Sequence, residues 1–87
     1  MFGWFRRKRV KRLLNTIASA KESMDVYRIV FMNSSDHQSA VDSIASMISF
    51  EFNESIDVCV PAAQTLVVFF LVEKKNIQSD VWRRYIG

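Results

Sequence analysis

The chain contains only two glycines, Gly3 and Gly87, and a single proline, Pro61, among its 87 residues. Glycine and proline supply the backbone geometry that tight turns and many loops require. With so few of them there is little room for long loops, so most of the chain must lie in regular secondary structure. Because 49% of the residues are apolar and 13% are aromatic, far more than in a disordered chain, we expect a folded protein.

The length of the chain limits its organisation. We predict a single small domain over residues 1–87, in which residues 1–12 form a basic, aromatic N-terminal segment. A domain of this size buries only about 60 to 65% of the surface of its unfolded chain, so its core is marginal. The longest uninterrupted apolar run, residues 66–72, is far shorter than the ~20 residues of a membrane-spanning helix.

Two features bear on the cellular location. The N-terminus carries the charges of a signal peptide, but the apolar segment and the small-residue cleavage site are missing, so we expect no signal peptide. Cys59 is the only cysteine and lies in an apolar run, which indicates a buried thiol in a reducing compartment. We therefore predict a cytoplasmic protein of a bacterium or phage, peripheral at the inner face of the membrane.

The first half of the chain predicts a helix, a strand and a second helix. Residues 6–22 form the first helix, because apolar side chains recur three and four apart at Val10, Leu13, Leu14, Ile17 and Met24. Residues 26–32 are rich in β-branched and aromatic side chains and predict a strand. Ser35 and Gln38 have the spacing of a capping box, and the helix that follows has an apolar face made of Val41, Ile44, Ala45, Ile48 and Phe52.

The second half predicts a β-hairpin and a short helix. Residues 56–60 alternate in polarity, and residues 61–64 separate them from the apolar run at 66–72, which would be a strand covered on both faces. Periodicity alone is equally consistent with a buried helix there, since Pro61 suits a first helical turn. The valines and phenylalanines favour the strand. A final short helix would carry Ile77, Val81 and Tyr85 on one face.

The fold class that follows is α+β, with a small three-stranded sheet and helices in the order α-β-α-β-β-α. An all-α bundle is the alternative. The order, together with the triplet Ala20, Lys21 and Glu22, loosely resembles the cell-division topological factor that regulates the Min ATPase. Residues 61–64 replace the glycine-bearing hairpin turn expected in that family, so no functional residue is carried over. Because two sheet edges would stay unpaired, we expect a homodimer.

The charges are strongly segregated. Residues 1–21 contain no acid, and their cations are Arg6, Arg7, Lys8, Arg9, Lys11, Arg12 and Lys21. Residues 29–73 contain no lysine or arginine, and their acids include Asp36, Asp42, Glu51, Glu54 and Asp57. Such asymmetry indicates an anionic partner for the N-terminal end, or contact between copies of the chain.

Sets of residues typical of enzymes are missing. The single histidine, His37, has no evident nucleophile beside it in the sequence, although Cys59 is not excluded by sequence distance. One cysteine and one histidine disfavour zinc, and Glu51, Glu54 and Asp57 are too few for a carboxylate metal site. No glycine-rich phosphate loop is present. We therefore predict a protein that is not an enzyme and has no catalytic residue, metal or cofactor.

The N-terminal segment is the predicted binding site. Its residues are Phe2, Trp4, Phe5, Arg6, Arg7, Lys8, Arg9, Lys11 and Arg12. On a helical projection, Trp4, Phe5, Lys8, Lys11 and Arg12 lie opposite the apolar stripe. Aromatic side chains can enter the headgroup boundary of a bilayer while the adjacent cations meet anionic lipid. Nucleic acid is a rival ligand, through phosphate contacts and stacking on bases.

A protein partner is the third candidate ligand of this segment, with Trp4, Phe5 and Arg6 as anchors of the interface. We favour an anionic membrane over nucleic acid as the ligand, because residues 22–87 carry nine acids and only five cations. We expect a regulatory or accessory protein that binds a partner protein stoichiometrically. In this interpretation, its N-terminal segment touches the partner or an anionic membrane.

Overall fold

The computed structural model describes the backbone of residues 2–72 and the side chains of residues 6–72. Four helices account for nearly all of this part: α1 (Phe2–Ser19), α2 (Lys21–Asn33), α3 (His37–Phe52) and α4 (Ile56–Val72). Residues 2–72 contain no strand. The predicted α+β fold with its three-stranded sheet is therefore wrong, and the all-α alternative fits. The predicted C-terminal helix with Ile77, Val81 and Tyr85 lies outside the described residues.

The predicted strand at residues 26–32 lies within α2. Its β-branched and aromatic side chains alternate with a helical period, so that Tyr27 is buried while Val26 and Ile29 are exposed. β-Propensity measures how well a side chain fits a half-buried sheet surface, and tertiary packing readily overrides it. In α2, Tyr27 packs inward with Ser23 and Met24, which precede it by four and three residues.

The predicted hairpin at residues 56–72 is the single helix α4. Eight of its side chains are buried at helical spacing: Val58, Cys59, Ala62, Ala63, Leu66, Val67, Phe69 and Phe70. Pro61 lies inside the helix rather than in a turn between strands, and the Thr65 hydroxyl donates to its carbonyl oxygen at 3.1 Å. The exposed side of its second half carries Val68, Leu71 and Val72 instead of polar residues, so the sequence shows no polar stripe and the segment resembles a buried strand.

Three short connections join the helices. Ala20 alone separates α1 from α2, so the first predicted helix ends at Ser19 rather than near residue 22. Asp36 caps α3, where its carboxylate accepts a hydrogen bond from the Ser39 amide at 2.8 Å; the predicted cap, Ser35, lies one residue earlier. That hydrogen bond lowers the pKa of Asp36. Asn53 ends α3 in the left-handed region, with φ of 53°, which asparagine tolerates better than most residues.

The core lies between all four helices. The largest contact joins α3 and α4, while α1 packs mainly on α4, and α2 packs mainly on α3. The predicted apolar face of α3 is confirmed, with four buried side chains and a half-buried Phe52. The apolar stripe of α1 is also confirmed, because Leu13, Leu14 and Ile17 belong to the core and Val10 packs against it. Within residues 2–72, every helix is too short or too polar to cross a bilayer.

Candidate anion-binding face

Residues 6–12 of α1 carry six exposed cations. We call them the basic face of α1: Arg6, Arg7, Lys8, Arg9, Lys11 and Arg12. The side of the helix opposite Lys8, Lys11 and Arg12 is fastened to the core, since Leu14 is 2% exposed and Ile17 is fully buried. Arg6 and Arg9 lie nearer that side, because they precede the buried Leu13 by seven and four residues. Lys8, Lys11 and Arg12 therefore point outward, as the helical projection predicts. The side chains of Phe2, Trp4 and Phe5 lie outside the described part of the structure.

The exposed side of α1 forms a shallow depression, which three of these cations line. We call it the α1 groove, and its lining residues are Lys8, Lys11, Arg12, Asn15, Thr16 and Ser19. The Thr16 hydroxyl donates to the Arg12 carbonyl oxygen, and the Ser19 hydroxyl donates to the Asn15 carbonyl oxygen, each at 3.1 Å. Both hydroxyl protons are thus used within α1. The groove offers cations and aliphatic stems to a ligand, with few uncharged donors.

Arg9 joins the basic face to the rest of the bundle. Its Nη2 lies 2.8 Å from Oε1 of Glu54, which follows α3. The backbone of Glu54 is held in place because its carbonyl oxygen accepts a hydrogen bond from the Ser49 hydroxyl at 2.7 Å. A partly exposed pair of this kind stabilises a fold by at most about 1 kcal/mol. Its main effect is to fix the N-terminal half of α1 beside the α3–α4 connection.

The carboxylates of Glu51 and Glu54 have separate roles. Glu51 accepts hydrogen bonds from the Tyr27 hydroxyl at 2.5 Å and from the Ser23 hydroxyl, and so joins α3 to α2. Burial raises the pKa of Tyr27, and the adjacent carboxylate raises it further. Glu54 pairs with Arg9 instead. Among the described residues, no cluster of three or more histidine, cysteine, aspartate or glutamate side chains is arranged to hold a metal ion.

His37 and Cys59 do not form a catalytic pair. Cys59 is fully buried, and its Sγ lies 3.7 Å from the carbonyl oxygen of Glu54, just beyond the C-terminal end of α3. Burial raises the pKa of this thiol, and Glu54 adds to the effect, which favours the unreactive protonated form. His37 is the first residue of α3, where its ring stacks on Phe31 with centroids 6.1 Å apart. The length of α3, roughly 1.5 Å per residue, separates the two side chains.

Sequence reasoning missed the exposed aromatic side chain of Phe50. Phe50 is 93% exposed near the end of α3, beside a shallow depression that it lines with Ser46, Met47 and Glu51. The signal was present in the helical projection, because Phe50 is two residues from the buried Ile48 and so lies about 200° around the helix from it.

Comparisons with known proteins add nothing to this site. No protein-family model matches the chain, and no curated protein or solved structure is significantly similar to it. Its function must therefore be inferred from its own residues.

Proposed function

We propose that this chain is a non-enzymatic accessory or regulatory protein that acts by stoichiometric binding to a partner protein. In this proposal, the basic face of α1 and the N-terminal aromatic residues hold it against an anionic membrane surface. The observation that carries the proposal is the exposure of six cations on a helix whose apolar stripe is buried in the core. Arginine and lysine near an anionic bilayer each contribute up to about 1 kcal/mol of binding.

The buried stripe determines how α1 can meet a bilayer. A helix that lies in the plane of the interface inserts its apolar side into the lipid. In α1 that side is occupied, because Leu13, Leu14 and Ile17 pack in the core. Moving them into lipid would remove them from the bundle and would cost roughly 1.5 to 3 kcal/mol each in lost burial within the protein. We therefore expect α1 to stay on the bundle and to contact lipid through its cations.

The N-terminal aromatic residues supply the apolar part of this contact. The backbone of α1 begins at Phe2, so Phe2, Trp4 and Phe5 belong to the first turns of the helix, next to Arg6 and Arg7. Tryptophan and phenylalanine insert at the headgroup boundary, where a short apolar segment adds to electrostatic attraction. The acids of α3 and α4 would be repelled by the same lipid, which favours contact through this end of α1.

Nucleic acid is the second candidate ligand, and the α1 groove is the observation in its favour. Its cations are followed along the same helix by Asn15, Thr16 and Ser19, as in many helices that contact phosphates. Two of those three side chains donate to the backbone of α1 itself, which leaves them poorly suited to reading bases. We therefore favour an anionic membrane over nucleic acid as the ligand of α1.

Flotation with lipid vesicles tests the membrane contact. We expect the chain to float with vesicles of phosphatidylcholine and phosphatidylserine and to stay behind with phosphatidylcholine alone. The double change Arg6→Gln/Arg7→Gln should weaken binding roughly tenfold, since each removed cation contributes up to about 1 kcal/mol. Trp4→Ala/Phe5→Ala should weaken it as well. Lys21→Gln is the matched control, because Lys21 is an exposed cation at the start of α2, outside the basic face.

Equal flotation with both lipids would contradict the membrane contact. So would an equal loss of binding in Lys21→Gln and in a single Arg6→Gln variant, because total charge rather than position would then control binding. Tight binding of a DNA duplex that Arg6→Gln/Arg7→Gln weakens, without any binding to anionic vesicles, would select the second candidate instead.

A further inference from the structure

We propose that residues 73–87, which follow α4 directly, turn back along this helix and cover its exposed apolar side. We call that side the outer face of α4, made of Val68, Leu71 and Val72. Residues 73–87 lie outside the described part of the structure. The support for the contact comes from the outer face itself and from the sequence of the segment beside it. The membrane contact of α1 plays no part in it.

The outer face is a continuous apolar surface at the end of α4. Leu71 and Val72 follow Val68 by three and four residues, so the three side chains are neighbours on one side of the helix. They are between 41% and 60% exposed, while Phe69 and Phe70 on the other side are buried in the core. Adjoining apolar side chains that face water mark an interaction site.

Residues 73–87 have the pattern that such a face requires. Ile77, Val81 and Tyr85 lie four residues apart, on one side of the predicted C-terminal helix. Ser79 and Arg83 lie on the other side. A helix with this pattern buries its apolar side and leaves its polar side in water. The outer face of α4 offers the apolar surface that it needs.

A short connection at residues 73–76 is sufficient for the reversal. Lys74 and Lys75 come just after α4, whose last turn has no basic residue, and cations at a helix C-terminus interact favourably with the helix dipole. Asn76 follows them. Asparagine tolerates the left-handed backbone that ends many helices, as Asn53 does at the end of α3. Four residues are enough, since helices in bundles are commonly joined by about two to eight.

The length of the segment matches the outer face. At about 1.5 Å per residue, a helix over residues 77–87 would be roughly 16 Å long. Running antiparallel to α4 from Val72, it would reach back to about Pro61. This register places Val81 over Val68.

The charges of the two surfaces are complementary. Residues 73–87 carry four cations and two acids, whereas residues 29–73 contain no lysine or arginine. Asp57 is exposed and lies on the same side of α4 as Val68, eleven residues earlier. The antiparallel direction carries Arg83 and Arg84 toward this carboxylate, so the attraction between opposite charges favours it.

The segment has an advantage over a separate occupant because it is attached beside the face. Attachment through a short linker gives an effective concentration on the order of millimolar. A second copy lacks that advantage, and the homodimer predicted from sheet edges loses its reason because residues 2–72 contain no sheet. The core forms among the four helices alone, so we expect the segment to be displaceable and to add little to the free energy of unfolding.

Disulfide cross-linking of the full chain without lipid tests the contact. Val68→Cys/Val81→Cys replaces two residues by others of similar size at the positions that the register brings together. On oxidation with copper phenanthroline in air, we expect a disulfide within one chain. Cys59 is fully buried, so its thiol should stay reduced.

Ile29→Cys/Val81→Cys is the matched control. Ile29 is exposed on α2, and the end of α2 lies beside the end of α4, where the Phe31 and Phe70 rings are 5.8 Å apart. A segment that does not dock would therefore reach both sites alike. We expect the 68–81 pair to oxidise at least roughly tenfold faster than the control, because a disulfide requires its two Cβ atoms to approach closely.

The fluorescence of Trp82 provides a second measurement. In a Trp4→Phe background, Trp82 is the only tryptophan. Leu71→Asp places a charge in the outer face and should release the segment, so iodide should quench Trp82 more and its emission should move to longer wavelength. Ile29→Asp should change neither. Unchanged far-UV circular dichroism shows that the variants are folded.

Three results would overturn the contact. Equal oxidation of the two cysteine pairs, or none in either, would mean that residue 81 does not lie over α4. Disulfide-linked dimers from the 68–81 pair, in place of a linked monomer, would assign the outer face to a second copy. Trp82 emission and quenching that Leu71→Asp leaves unchanged would also contradict it. Because no lipid is present, these results are separate from failure of the membrane contact.

Discussion

Replacing Phe69 with alanine should lower the free energy of unfolding by about 3 to 5 kcal/mol. Replacing its neighbour Val68 with alanine should lower it by less than about 1 kcal/mol. Phe69 is fully buried and touches the ring of Phe70, with centroids 6.0 Å apart, whereas Val68 is 48% exposed. The loss at Phe69 combines lost burial with the cavity left between helices. A loss this large is a substantial part of the stability of an ordinary small domain.

The pair of variants separates a helix from a strand at residues 66–72. Urea unfolding followed by far-UV circular dichroism measures both free energies. In α4, adjacent side chains point about 100° apart, so one can be buried and the next exposed. A strand covered on both faces would bury both. Equal, large losses at Phe69 and Val68 would therefore contradict α4 and favour the strand.

Replacing Ile17 with alanine should lower the free energy of unfolding by about 2 to 5 kcal/mol. Ile17 is fully buried in the core and lies on the side of α1 opposite the α1 groove. Thr16→Ala is the matched control, because Thr16 is exposed and its hydroxyl donates to the Arg12 carbonyl oxygen within the same helix. Alanine favours helix more than threonine, so this control should be neutral or slightly stabilising. Urea unfolding of both variants measures the difference.

The result at Ile17 bears directly on the membrane contact. A large loss means that α1 is fastened to the bundle and that its cations act from a fixed surface. A neutral effect at Ile17, equal to that at Thr16, would show that α1 does not depend on the core. Its apolar stripe would then be available for lipid, and α1 would bind as an in-plane amphipathic helix instead.

Helical periodicity allowed part of the fold to be predicted from the sequence. In α1 and α3 the apolar residues lie on one side and polar residues on the other, so the faces built on Ile17 and Ile44 were predicted correctly. In α4 the exposed side of the second half carries Val68, Leu71 and Val72 instead of polar residues, so the sequence has no polar stripe and its composition wrongly indicated a strand. In α2, the β-branched and aromatic residues around Tyr27 likewise led to the wrong prediction of a strand.

The candidate site, too, could be predicted only in part from the sequence. Charge segregation is visible in the sequence, because the cations of the basic face are consecutive or nearly so. The pairing of Arg9 with Glu54 joins residues 45 apart in the chain and depends on how α1 meets the α3–α4 connection. The spacing of Arg9 and Glu54 in the sequence does not reveal how α1 packs beside that connection. The exposure of Phe50 required only the correct phase of α3, and so it was within reach of the sequence.

Hydrogen exchange of α1 with and without anionic vesicles is the most direct test that its cations act while its apolar stripe stays in the core. Vesicles of phosphatidylcholine and phosphatidylserine would be added at a concentration that binds the chain. We predict that the amides of Leu13, Leu14 and Ile17 stay protected, or become more protected, when lipid is bound. If these amides lost protection relative to the amides of α3 on adding lipid, α1 would have left the bundle. That result would contradict the claim that its apolar stripe stays in the core.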